Sequence, residues 1–134
     1  IQDLNSFGIE INAAFGFTTN GFNQSLKFGY TYLKEDLGDL SIDFSRYSIN
    51  SLKHHFTTSY HSQFFKNISH NLVYKFAERT TGQSYVVVDA KLTLNLKSFE
   101  FSIIGNNIFN TDYTETNLVP MPKGNVLLDV KLLF

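Results

Sequence analysis

A two-residue alternation of apolar and polar side chains runs through most of this chain and constrains its fold more than any other feature. It is cleanest after Tyr85. Val86, Val88, Ala90, Leu92, Leu94 and Leu96 are apolar, whereas Asp89, Lys91, Thr93 and Asn95 between them are polar, with Val87 the one exception. Successive side chains on a β-strand point to opposite faces, so this spacing predicts a strand that is apolar on one side. On a helix, the positions three and four apart from Val86 are Asp89, Ala90, Thr93, Leu94 and Lys97, which leave no apolar stripe. The last segment repeats the pattern, with Val126, Leu128, Val130, Leu132 and Phe134 facing away from Asn125, Asp129 and Lys131.

The same period extends upstream. Phe7, Ile9, Ile11, Ala13, Phe15 and Phe17 define a strand over about 5 to 17, and Leu26, Phe28, Tyr30 and Tyr32 define a second. Between them, Asn20-Gly21 is the residue pair that tight hairpin reversals favour. Residues 34 to 51 break the period and read as a long loop. A less regular third strand follows from Leu52 to Phe64, then a reversal at Lys66-Asn67 and a fourth strand carrying Leu72, Tyr74 and Phe76. A turn at Thr80 to Gln83 leads into the Tyr85 segment. Lys97-Ser98 reverses the chain into a strand with Phe99, Phe101, Ile103 and Gly105 on one face, and residues 109 to 124 form the last long loop. No helix is required.

Composition narrows the function classes. The 134 residues are expected to form one structural unit, 1–134. A formal charge of -1, with 11 Lys and Arg spread thinly, gives no footprint for nucleic acid. The absence of cysteine removes disulfides, thiolate nucleophiles and Cys-containing zinc sites. No apolar run approaches the roughly 18 residues of a membrane helix. A membrane barrel is compatible with the mean hydropathy of -0.12, because alternation averages to near zero. With Ile1 at its start and no leader pattern, the chain reads as a processed or excised piece.

The connections alternate in length, and all the brief reversals fall at one end. Outer-membrane barrels have this asymmetry, with short periplasmic turns and longer extracellular loops. The apolar face carries no charge in the middle of any predicted strand, and Tyr30, Tyr32, Tyr60, Tyr74 and Tyr85 fall where an aromatic girdle is expected. The expected fold is therefore all-β, a transmembrane antiparallel β-barrel segment.

Three stretches then carry a family resemblance: YVVVDAKL from Tyr85, IIGNNIFNTDYTE from Ile103, and VPMPKGNV followed by the final strand ending in Phe134. Together they resemble the C-terminal end of TonB-dependent outer-membrane receptors. RYSINSLKHHF at Arg46 to Phe56 and FAERTTG at Phe76 to Gly82 are similar to iron-complex and cobalamin-type members, especially Bacteroidetes-like ones. The resemblance implies about seven C-terminal strands of a larger barrel of about 22, located in the bacterial outer membrane, with plug and earlier strands absent. It implies import of a scarce nutrient such as an iron-siderophore, haem or cobalamin, without a cofactor. The implied partners are outer-membrane lipid, the rest of the receptor, the TonB complex through the missing N-terminal region, the barrel-assembly machinery, the nutrient, and a surface lipoprotein. It further implies that Leu128, Val130, Leu132 and Phe134 form the signal read during assembly, against a plain lipid-anchor role. An Arg is common in the family where Lys123 stands, so no role passes to Lys123.

Candidate chemistry is sparse. His55 and His61 share a face but lie about 20 Å apart along a strand, and His54 points away from His55, which disfavours a metal site. Asp89 with Lys91 and Asp129 with Lys131 read as a hydrated lining or plug-contact ladder rather than catalytic pairs. Asn106, Asn107 and Asn110 read as capping and turning residues, and Pro120 and Pro122 as loop stiffeners. No GxSxG elbow, phosphate-binding glycine loop or HExxH appears, so no enzyme is expected. Asp39, Asp43, Arg46 and Tyr47 are candidate ligand contacts in an extracellular loop. Three classes stay open: a nutrient-transporter fragment, a free-standing small outer-membrane barrel acting as an adhesin or porin, and a soluble lipocalin-like binder with its apolar face inward.

Overall fold

The computed structural model describes residues 5–36, 52–115 and 119–133. Seven strands follow one another: β1 (Asn5–Thr19), β2 (Phe22–Asp36), β3 (Leu52–Phe65), β4 (Ile68–Arg79), β5 (Ser84–Leu96), β6 (Phe99–Asn106) and β7 (Asn125–Leu132). They form one antiparallel sheet in sequence order, and the described residues contain no helix. No contact joins β1 to β7, so the sheet is open at both edges.

Hairpin chemistry accounts for the meander. Asn20 and Gly21 both adopt positive φ, 52° and 80°, the geometry that lets a two-residue loop follow the strand twist. Lys97, at φ 42°, turns β5 into β6. The reversals at 20–21, 66–67 and 97–98 fall at one end of the sheet, and the connections 37–51, 80–83 and 107–124 at the other.

Several boundaries differ from the sequence reading: β1 runs to Thr19 rather than 17, and the last connection begins at 107 rather than 109. Lys34 to Asp36 belong to β2 rather than to a loop, because Phe7, Ser6 and Asn5 continue the ladder opposite them. β3 runs to Phe65, and its irregular pattern coincides with register shifts at Leu52/His54 and Gln63/Phe65, where an extra residue interrupts the alternation.

Register carries the alternation across the sheet. Phe15 pairs with Leu26, Leu26 with Tyr60, Tyr60 with Leu72, Leu72 with Ala90, Ala90 with Gly105, and Gly105 with Val126. Apolar side chains thereby share one face from edge to edge. Aromatic pairs run across it, from Phe15 against Phe28 to Phe28 against Phe56 and Phe56 against Tyr74, with ring centroids 6.2, 6.5 and 6.2 Å apart.

Among the described residues, no second layer covers this face. Phe7, Ile9, Ile11, Phe15 and Phe17 of β1, Leu92 and Leu96 of β5, Phe101 and Ile103 of β6, and Val126, Leu128, Val130 and Leu132 of β7 are all exposed. Among the described residues, the only buried apolar ones are Ala77, Val87 and Val88. An accessible surface of 9775 Å² exceeds the ~7100 Å² expected of a folded globular chain of 15.3 kDa. A domain normally buries an apolar sheet face against another layer, and the described residues supply none.

Candidate functional site

The polar face is where side chains converge, and the connection 107–124 makes the site. β6 ends at Asn106 because Asn107 takes a left-handed conformation, φ 47°, that asparagine tolerates better than most residues. The kink sends the next amides to new partners. The Asn107 amide donates to Asp89 Oδ1 at 2.8 Å, and the Ile108 amide donates to the Val88 carbonyl at 2.9 Å.

Asn107 is buried, and its side chain behaves like a piece of backbone. Nδ2 donates to the Thr111 carbonyl at 2.8 Å, while Oδ1 accepts the Thr111 amide at 2.9 Å. Asn110, also left-handed at φ 57°, accepts the Gly124 amide on its Oδ1 at 3.0 Å. The sequence reading of Asn107 and Asn110 as turning residues therefore describes their geometry, and Asn106 bonds Asn125 across β6 and β7 at 3.0 Å.

Beyond this clamp the chain returns over the polar face as a small hairpin. The Met121 amide donates to the Tyr113 carbonyl at 2.9 Å, Glu115 donates to Val119 at 3.2 Å, and Thr114 bridges Pro120. Two side chains of the sheet hold it. The Tyr85 and Tyr113 rings lie 4.8 Å apart, and Arg79 Nη2 donates to the Thr114 carbonyl at 3.1 Å. Ala77 and Val87, 1% and 3% exposed, lie on the polar face among these anchor points. Val87, the apolar exception on a polar face, thus has a structural reason.

Gly124 makes the clamp specific. A Cβ there would stand 2.6 Å from the Asn107 carbonyl oxygen, with backbone unable to move aside cheaply. Gly124→Ala is expected to cost about 1–3 kcal/mol locally. The Asn107 and Ile108 amides should lose hydrogen-exchange protection, while those of β1 to β3 keep theirs.

Electrostatics on this face follow the strand register. Asp89 pairs across strands with Lys75, at 2.7 Å, rather than with its neighbour Lys91, which lies 3.9 Å from Glu100. An i, i+2 pair shares a face, but the register places Lys75 and Lys91 beside different carboxylates. Lys123 meets Asp112 at 3.3 Å with both groups exposed, a pair of little energetic weight. Burial, with the Glu115 carboxylate nearby, pushes the Tyr113 hydroxyl above the ordinary tyrosine range.

Between the hairpin and the β4 to β5 turn lies an open hollow of about 440 Å³, lined by Arg79, Gln83, Ser84, Tyr85, Asp112, Tyr113, Thr114, Pro120 and Met121. It offers hydrogen-bonding groups of both kinds and a tyrosine pair, which suits recognition of a polar ligand.

The other predicted positions separate. Asp39, Asp43, Arg46 and Tyr47 lie outside the described residues, as does Phe134. Leu128, Val130 and Leu132 are exposed on β7, on the face opposite the hollow. Tyr30, Tyr32, Tyr60 and Tyr74 share the apolar face, but Tyr85 points the other way, opposite Ala77, and leaves the girdle. His54 bonds the Tyr30 hydroxyl at 2.8 Å on the apolar face, and no group of metal-ligating residues forms among the described residues. Arg79 and Tyr113 went unread in the sequence, since nothing in their local spacing marks a buried arginine or an inward-turned loop tyrosine.

Comparison with protein-family models, curated proteins and solved structures finds no match. The resemblance to TonB-dependent receptors accordingly rests on the residues quoted for it.

Proposed function

We propose that this chain is a wall segment of a nutrient-importing receptor in the bacterial outer membrane, of the TonB-dependent kind. The observation that carries this reading is the apolar face, continuous over seven strands and uncovered. Water penalises such a face by about 25 cal/mol per Å² of apolar surface, whereas lipid covers it without a second protein layer. The polar face then looks into the barrel, and the hairpin 107–124 fills part of that interior near the long-connection end. The soluble lipocalin-like reading needs the sheet to close on itself, and its edges do not meet.

Strand direction supports a larger barrel. In a seven-stranded antiparallel meander β1 and β7 run the same way. All-antiparallel closure therefore needs an odd number of further strands, and a barrel of about 22 supplies about 15. Both edges carry unpaired backbone groups that lipid does not tolerate, so the remaining wall pairs with each. In this reading Leu128, Val130, Leu132 and Phe134 form the assembly signal, and the loop with Asp39, Asp43, Arg46 and Tyr47 meets an iron chelate, cobalamin or a similarly bulky nutrient first.

The test is a deletion of residues 38–48 in the parent receptor. Whole-cell capture of the nutrient is expected to fall at least several-fold while detergent is still needed to extract the protein from outer membranes. A protein released without detergent contradicts the membrane assignment, and unchanged binding and uptake of every candidate nutrient removes this loop from the site.

A further inference from the structure

The end of the sheet with the short turns has a composition that barrel closure does not explain. Two of its turns carry an exposed lysine, Lys66 and Lys97, and they stand side by side. The Asn95 amide donates to the Asn67 carbonyl at 2.8 Å, and the Leu133 amide to the Ser98 carbonyl at 2.7 Å, so the turns and the end of β7 form one rim. Exposed Phe64, Phe65, Leu96 and Phe99 surround the lysines. Residues 63–70 and 95–99 contain no carboxylate, and Glu100, the nearest in sequence, sits on the polar face beside Lys91. The opposite end of the apolar face is mixed, with Lys34 on β2 and Glu78 opposite His54.

Directly above the lysine rim, on the apolar face, lies a hollow of about 340 Å³ walled by Ile68, Leu92, Leu94, Phe101, Ile103 and Leu128. Its lower edge is the Ile68 to Leu94 pair, next to the two lysine turns. An apolar groove that ends at paired cations matches an amphiphile with a hydrocarbon tail and an anionic head. We infer that this end of the apolar face binds an anionic phospholipid of the bilayer, its acyl chain along the hollow and its phosphate drawn by Lys66 and Lys97. A lysine stem can cover apolar surface while its ammonium group reaches a headgroup layer, which suits Lys66 and Lys97 to this rim. The inference rests on the membrane reading and adds to it a lipid class and the leaflet reached by the short turns.

The experiment is vesicle flotation of the parent receptor, in which the rest of the wall pairs with both sheet edges, with neutral phosphatidylcholine and with vesicles containing phosphatidylglycerol. Each lysine at an anionic surface strengthens binding about five-fold, so these two lysines should make the wild-type receptor prefer the anionic vesicles by roughly ten- to thirty-fold. K66Q/K97Q should remove that preference, whereas K34Q/K53Q, which removes the same charge at the other end, should keep it. Chloride and inorganic phosphate at equal ionic strength should weaken it equally. A preference unaffected by K66Q/K97Q, or lost equally in both variants, overturns the assignment and leaves only net charge. A specific effect of inorganic phosphate overturns it in favour of a free-anion site. Equal binding to both vesicle types overturns it while sparing the membrane reading, and binding to neither overturns both.

Discussion

Leu128→Lys is expected to reduce the folded, bilayer-inserted population by roughly 30- to 1000-fold, corresponding to the ~2–4 kcal/mol that a lysine costs on a lipid face at mid-depth. Leu128 is 79% exposed, lies within β7 and pairs with Ile103 on the continuous apolar face. The sign of the effect separates environments. In water, replacing a large exposed leucine with lysine shrinks an apolar patch and should improve solubility with little change in stability. In lipid, the same substitution places a cation where no water reaches. Asp129→Lys, one residue along and on the other face beside Ser102, should be nearly silent in the bilayer experiment. Folding titrations into vesicles over a range of urea concentrations read both variants. A neutral or favourable Leu128→Lys contradicts the lipid-facing assignment of the sheet.

The second large effect is expected at Asp89. This carboxylate accepts from Lys75 Nζ at 2.7 Å and from the Asn107 amide at 2.8 Å, so it ties β4, β5 and the start of the 107–124 connection together. Asp89→Ala leaves the Asn107 amide without its acceptor and Lys75 without its nearest carboxylate, at a cost of roughly 1–3 kcal/mol. The loss should be local. Tyr113 should leave Tyr85, and limited proteolysis should cut within 111–121 at least ten-fold faster, while β1 to β3 stay protected. Asp89→Asn retains an acceptor for the amide and should recover part of the protection. Uniform destabilisation of all seven strands would instead make Asp89 a global determinant.

Much of the fold was legible because a strand writes its two faces directly into the sequence. The alternation from Val86 to Leu96 needs no partner to be read, and Asn20-Gly21 announces its own turn geometry. Lys34 to Asp36 were harder to place, because their strand character comes from the ladder to Asn5, Ser6 and Phe7 rather than from local pattern. Tyr85 shows the same difficulty on one residue, since the aromatic type suggested a girdle while its odd position in β5 puts it on the polar face with Tyr113.

The sequence by itself determined the strands, the apolar and polar faces and the alternation of short and long connections, because period two and turn chemistry act over a few neighbouring residues. Only the tertiary structure decided that the 107–124 connection folds back over the polar face, that Arg79 reaches Thr114 across 35 residues, and that Asp89 takes Lys75 instead of Lys91. Those outcomes depend on the register between strands and on the path of a loop whose left-handed turns at Asn107 and Asn110 direct it back over the sheet. Side chains far apart in the chain meet only once both are fixed.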